Sequence, residues 1–232
     1  MKKIYNPYLK KSVSKDYIDF IKGKISLSVQ DMIDVLSEWE QDFSDCSLLD
    51  IGCGVGNISN DESIKRFKNY VGVEPSKEIF EYANKHNKNS NTEFYNCSVE
   101  DLPFEDESFD FLISTEVWYY IKDVDRAVKE CSRVLKNNSN FLIYTRNPDE
   151  MLNWLQIKNV INESKNYLEV YSVITRPAIG NLVRESCNLG EHFFSKLSLE
   201  DLTNSFVNTN LKIRGVEKYQ HGRIMIQGEK IG

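Results

Sequence analysis

The run Leu48-Leu49-Asp50-Ile51-Gly52-Cys53-Gly54-Val55-Gly56-Asn57 puts a carboxylate and three alternating glycines at the end of an apolar segment. A buried strand entering such a loop lets the backbone turn sharply and approach a ligand closely, because glycine has no Cβ and tolerates positive φ. The spacing is G-x-G-x-G. A dinucleotide fingerprint, G-x-G-x-x-G, needs glycine at 57, where this chain has Asn57, so a pyrophosphate turn is disfavoured. A glycine cluster by itself is explained as well by a tight turn without a ligand.

Two further segments bear on that choice. Glu74 follows the apolar run Tyr70 to Val73, and Pro75 follows it. A carboxylate at the tip of a second strand can accept hydrogen bonds from both hydroxyls of a ribose. Downstream, Cys97-Ser98-Val99-Glu100-Asp101-Leu102-Pro103-Phe104 leads through Glu105-Asp106-Glu107-Ser108-Phe109-Asp110 into another apolar run, which ends at Ser114-Thr115-Glu116, with Trp118 and Tyr119 beyond it.

The elements that must position these residues are legible as short apolar runs separated by amphipathic stretches. SLLDI, YVGVE, TEFYN, FDFLIST and NFLIYT read as five strands, with helices expected near 57–68, 76–88 and 123–136, an alternation that implies a parallel sheet. The last helix is expected to stop in KNNSN, where Asn takes the left-handed conformation. Before the first strand, Tyr17, Phe20 and Ile21, then Met32, Ile33, Leu36 and Trp39, fall at helical spacing and predict two helices. Ser198 and Asp201 open a helix, and LKIRGVEKY and GRIMIQGE read as closing strands joined by a turn at Gln220-His221. The expected organisation is one domain over 1–232: an N-terminal helical lid (1–46), a core (47–147), a cap insertion (148–197) and a closing helix and hairpin (198–232).

Composition limits the classes of function. The chain has 232 residues, a formal charge of -6, 41% hydrophobic and 28% charged residues, too apolar for global disorder. The net negative charge disfavours phosphate backbones as partners. No run approaches the roughly 18 apolar residues of a membrane helix and the start lacks a signal-peptide pattern, so a cytoplasmic setting without membrane attachment is expected. The five cysteines, Cys46, Cys53, Cys97, Cys131 and Cys187, show no C-x-x-C spacing, which speaks against zinc or a disulfide framework.

Taken together, Asp50 with its glycine loop, the acidic tip Glu74, and the E-D-L-P-F segment ahead of S-F-D resemble the class I S-adenosylmethionine-dependent methyltransferases. Among them the small-molecule, methyltransferase-11 type is most similar, and Arg126 to Lys136 extends the resemblance over about 46 to 146. It implies a Rossmann-like α/β fold, a seven-stranded sheet ordered 3-2-1-4-5-7-6 with strand seven antiparallel. It also implies S-adenosyl-L-methionine as cofactor, with S-adenosyl-L-homocysteine as product, and a small-molecule methyl acceptor. On this resemblance Asp50 and the backbone of Gly52, Cys53, Gly54 and Gly56 lie beside the methionine part, and Glu74 and Pro75 beside the ribose. Ser98, Val99 and Glu100 surround the adenine, and Ser114 and Thr115 approach the sulfonium. Many relatives have Asp where Ser98 stands, so the adenine amine falls to Ser98 or to Glu100.

For the acceptor side, Tyr5, Tyr8, Trp118 and Tyr119 are candidate aromatic contacts near a sulfonium, although core packing accounts equally well for Trp118 and Tyr119. An oxygen acceptor usually needs a base, for which His192 and Glu116 are the candidates; His86 reads as solvated. Arg146 either holds an acidic substrate or pairs with a carboxylate. A monomer or homodimer is expected, and the segment around Trp154, Leu155, Tyr167, Tyr171 and Phe193 is expected to wall the acceptor site. The competing readings are a non-catalytic cofactor-binding scaffold and a nicotinamide-dependent oxidoreductase. Base methylation of nucleic acid is disfavoured by Ser114-Thr115-Glu116-Val117, where an Asn-Pro-Pro-Tyr or Asp-Pro-Pro-Tyr element would be needed.

Overall fold

The computed structural model describes residues 9, 11–87, 89–146, 198–219 and 223–232. Two helices, α1 (Lys11–Ile21) and α2 (Leu27–Glu38), precede β1 (Ser47–Ile51). Then follow a 3₁₀ turn (Asn57–Asn60), α3 (Glu62–Lys65), β2 (Asn69–Val73), α4 (Lys77–His86), β3 (Thr92–Tyr95) and β4 (Phe109–Thr115). A second 3₁₀ turn (Trp118–Tyr120), α5 (Val124–Val134) and β5 (Leu135–Arg146) complete the central part. The closing elements are α6 (Leu199–Val207), β6 (Leu211–Tyr219) and β7 (Arg223–Lys230).

The sheet order is β3-β2-β1-β4-β5-β7-β6. The first five strands run parallel, and β7 pairs antiparallel with both β5 and β6. Alternation along each strand divides the core between the two faces of the sheet. Leu48, Phe111, Ile113, Leu142, Tyr144 and Met225 pack on one side with Met32, Ile33 and Leu36 of α2. Leu49, Ile51, Leu112, Ile143, Ile224 and Ile226 face the other side, covered by Ala127, Val128, Cys131 and Val134 of α5 and by Leu202 and Phe206 of α6. Strands buried on both faces read as continuous apolar runs, which is why β1, β4 and β5 stand out in the sequence.

Local capping fixes where the helices begin. Ser26 accepts from the Val29 amide ahead of α2, and Asp123 accepts from the Arg126 amide ahead of α5. Ser198 and Asp201 form a reciprocal capping box at the start of α6. The helix expected over 57–68 is instead broken in two. Asp61 takes an extended conformation and accepts from the Ser63 amide, ending the 3₁₀ turn and starting α3. The Asn-rich stretch also differs from expectation: α5 stops at Val134 and Leu135 already belongs to β5. Asn138 does adopt positive φ, 62°, but inside β5, where the β4 partners jump from Leu135 to Asn140. It makes a bulge, not a helix stop. The turn expected at 220–221 and the cap expected over 148–197 lie outside the described residues.

The central position of β7 leaves no room for a side chain at Gly228, where a Cβ would lie 2.2 Å from Cζ of Phe141 and 2.5 Å from the Lys212 carbonyl oxygen. Gly228→Ala is therefore expected to destabilise the fold by roughly 1–3 kcal/mol through overpacking. A urea-unfolding midpoint equal to that of the native chain would contradict the packing of β5, β7 and β6.

Candidate active site

The loop after β1 turns through three glycines at positive φ: Gly52 at 70°, Gly54 at 58° and Gly56 at 73°. The Gly52 and Cys53 amides both donate to the Val73 carbonyl, at 2.9 and 3.0 Å, so the loop stays clipped to the end of β2. Asp50, 3% exposed, lies just before it. Burial pushes the Asp50 carboxyl up to about 7, opposed by the Tyr70 hydroxyl, which donates to Oδ2 at 2.5 Å. Glu74 is buried at the tip of β2. Its Oε1 accepts from the Ser76 amide at 2.9 Å. Burial pushes its carboxyl up to about 7 as well, against amide hydrogen bonds from Ser76 and Gly54. Two carboxyl groups and a loop of alternating glycines thus meet at the carboxyl ends of β1 and β2, where open α/β sheets bind ligands.

Helix α1 lies across this loop. The Ser14 and Ser76 hydroxyls are 2.9 Å apart, and a Cβ on Gly54 would meet the Tyr17 hydroxyl oxygen at 2.9 Å. Asn57 completes the closure by donating from Nδ2 to the Ile21 carbonyl at 3.1 Å and the Lys24 carbonyl at 2.6 Å. These carbonyls belong to the last residue of α1 and to the turn that follows it, where the helix leaves carbonyls without helical partners. The residue that departs from the dinucleotide fingerprint is therefore the one that ties the N-terminal helix to the glycine loop. Pro75, half-buried, has its carbonyl held at 3.1 Å by Nδ2 of Asn96, which also donates to the Glu74 carbonyl at 2.8 Å.

On the segment after β3, Val99 is buried and the Ser98 hydroxyl donates to Oε2 of Glu100. Glu100 also accepts from the Lys122 and Asp123 amides at 3.2 and 3.5 Å, fixing the turn that leads into α5. Ser114 is fully buried and donates to the Ile51 carbonyl at 3.1 Å, joining β4 to β1; Thr115 beside it is half-buried. Ser114 thus acts in the sheet, with its hydroxyl proton already committed.

Glu116 stands in a left-handed conformation, φ 61°, with its amide donating to the Tyr144 carbonyl at 2.7 Å. Its Oε1 accepts from the Ser28 hydroxyl at 2.9 Å and from Nε of Arg223 at 2.6 Å. Its Oε2 accepts from the Tyr119 hydroxyl at 2.7 Å and lies 3.4 Å from Nε of Arg146. A carboxylate offers about four lone-pair sites; three hydrogen-bond donors occupy this one, and the Arg146 guanidinium pairs with it as an ion. The expectation of Glu116 as general base is corrected accordingly: it holds two guanidinium groups together. Trp118 is corrected too. It is 1% exposed and packs on the α5 and α6 side of the sheet, its ring centroid 6.1 Å from that of Phe206. Tyr119 is buried with its hydroxyl on Glu116, and Arg146 pairs with the same carboxylate. His86 is exposed and stacks on Tyr82. Tyr5, Tyr8, His192 and His221, and with them Cys187, Trp154, Leu155, Tyr167, Tyr171 and Phe193, lie outside the described residues.

A sequence profile described as a methyltransferase domain matches residues 49–143, which hold the glycine loop, Glu74, the Ser98 segment and Glu116. Residues 49–143 form a class I methyltransferase domain of the methyltransferase-11 type. Over 103 residues the chain is 35% identical to the uncharacterized methyltransferase YcgJ of Bacillus subtilis, covering 41% of this chain and 39% of that protein. It is 27% identical over 148 residues to the ubiquinone biosynthesis O-methyltransferase of Pelagibacter ubique, covering 62% and 54%. The chain thus spans between about two fifths and about half of these two relatives. Among solved structures, the methyltransferase-fold chain of a complex with the Haloferax volcanii Trm112 methyltransferase activator superposes with a TM-score of 0.67 at 15% identity, covering 99% of this chain and 100% of that one. That likeness concerns the fold, and the strand order agrees with it.

Among the described residues of this methyltransferase domain, no group of three His, Cys, Asp or Glu side chains could hold a metal ion. No described helix is long and apolar enough to cross a membrane. Sequence reasoning missed Tyr70, Tyr17 and Arg223. Tyr70 carried a signal, since it stands opposite β1 as the polar-tipped member of an apolar strand; Arg223 could be found only from the β5–β7 register. Asp50 and Glu74 both have folded-state values above their unfolded ones. Their contribution to stability is fully present below the unfolded value of about 4 and is lost as pH rises through about 7. The urea midpoint of the ligand-free protein is therefore expected to fall between about pH 5 and about pH 8 by more than that of Asp50→Asn or Glu74→Gln. Parallel pH profiles for native and variant chains would contradict this.

Proposed function

We propose that the chain transfers a methyl group from S-adenosyl-L-methionine to an oxygen, nitrogen or carbon nucleophile of a small molecule by in-line displacement, in an aqueous, cytoplasmic setting. The observation that carries this reading is the buried carboxylate of Glu74, hydrogen-bonded to the Gly54 and Ser76 amides at the tip of β2. Two of its lone-pair sites are so occupied, leaving capacity for the two hydroxyls of a ribose. Asp50 suits the cationic ammonium of the methionine part, and a positive neighbour would relieve the burial that raises Asp50. Buried Val99 and the neighbouring Ser98 suit an adenine ring, with the Val99 amide as donor. The residues therefore fit the cofactor.

The cofactor would supply a methyl carried on a sulfonium leaving group, so the protein's task is alignment and exclusion of water. The Asn57–α1 closure covers the loop, and Thr115 and Glu116 bound the side from which an acceptor approaches. With Glu116 occupied, His192 remains the proposed base for an oxygen acceptor. Asn57 in place of glycine weighs against a nicotinamide cofactor, and a non-catalytic scaffold would bind the cofactor without turnover. A monomer or homodimer remains the proposed state.

Calorimetric titration with S-adenosylhomocysteine tests the reading. Saturable binding is expected, weakened at least about tenfold in Glu74→Ala, the cost of losing hydrogen bonds to a charged acceptor. No saturable heat with folded, ligand-free native protein, or equal affinity in the variant, would overturn it.

A further inference from the structure

Arg146 and Arg223 stand directly opposite each other in the antiparallel β5–β7 ladder. Like charges in that relation are destabilising, and the Arg223 side chain is only 15% exposed, which adds a desolvation cost. Among the described residues one carboxylate, Glu116, lies within ion-pairing distance of both, and it reaches them from a left-handed backbone. Asp31 of α2 accepts from the Tyr144 hydroxyl and forms no ion pair with either arginine; Ser28 adds a neutral donor to Glu116. Among the described residues two guanidinium groups pair with one carboxylate, which leaves one of their positive charges unmatched by an ion pair. A fold needing only a filled corner is served better by an apolar pair than by this arrangement.

The way the arginines are used indicates what the surplus is for. Both address Glu116 through Nε. A guanidinium has five N–H donors, and its terminal nitrogens can grip a second oxyanion in bidentate fashion. Arg146, about a third exposed, has the Tyr119 hydroxyl as its further partner. Both residues sit beyond Thr115, across the β1–β4 switch point from Asp50, on the side left for an acceptor.

We infer that the acceptor carries an oxyanion, a carboxylate or a phosphate, which Arg146 and Arg223 receive while Glu116 holds the two guanidinium groups in place. The inference rests on the methyl-transfer reading of the site. It assigns Glu116 a positioning role and makes Arg146 the residue that selects acidic acceptors.

The test uses native protein saturated with S-adenosylhomocysteine, titrated with inorganic phosphate, pyrophosphate or malonate at constant ionic strength, with chloride as control. Saturable binding of at least one probe is expected, the phosphate and malonate arms telling a phosphorylated from a carboxylic acceptor. R146Q is expected to weaken that binding at least about tenfold, and R146K to weaken it less, because lysine keeps the charge but loses the fork. Affinity for S-adenosylhomocysteine should stay unchanged in both, and R146K serves alone if R146Q does not fold. The inference is overturned if no probe binds above the chloride control, or if the variants bind as the native chain does. If S-adenosylhomocysteine itself fails to bind, the methyl-transfer reading falls, and the same anion titration on the ligand-free protein still decides whether the arginine pair is an oxyanion site.

Discussion

Two carboxyl groups buried at adjacent strand tips set the terms for everything built around the glycine loop. Asp50 and Glu74 are both almost inaccessible to solvent, and an ionised carboxylate in such a place is costly unless hydrogen-bonded. The Tyr70 hydroxyl serves Asp50, while the Ser76 and Gly54 amides serve Glu74. Because one donor is the loop backbone and another opens α4, the loop, β2 and α4 cannot move independently. Asn57 and Ser14 extend the same unit to α1. In the proposed function, this is the corner that receives a methyl donor with a ribose and a positive charge.

The other half of the site follows a different logic. At the end of β4 the backbone bends through Glu116 in a left-handed conformation that a non-glycine residue rarely adopts, and such strain concentrates where function requires it. The bend aims the carboxylate across β5 toward β7, where it joins two arginines that would otherwise repel. Ser114, one residue before Thr115, anchors the bend by its bond to the Ile51 carbonyl, so the Glu116 corner is registered against β1 and thereby against Asp50. Distances between the two halves are thus fixed by the central strands and not by loops.

The strands were legible because burial on both faces leaves unbroken apolar runs such as FLIY, and FLI within β4, whose pattern is independent of distant partners. The Ser198–Asp201 cap was legible for a similar reason, being a local bond between residues three apart. The helix over 57–68 was not, since Asp61 can serve either as a helical residue or as a cap, and only the packing of Ile58 and Ile64 into the core selects the second. Within the site, Asp50, Glu74 and the glycines could be placed from their position at strand ends. Trp118 and Glu116 could not. Which side of the sheet Trp118 faces depends on the 3₁₀ turn after β4, and the partners of Glu116 at Ser28 and Arg223 are 88 and 107 residues away.

The central claim is that Asp50 and Glu74 are held partly protonated at neutral pH and are ionised when the cofactor occupies their corner. Calorimetric titration of S-adenosylmethionine at pH 7 in two buffers of different ionisation enthalpy measures the protons exchanged on binding. The account predicts net proton release that declines when pH is raised to about 9 and is reduced in Asp50→Asn. Binding with no proton release at pH 7, equal in both buffers, would contradict it.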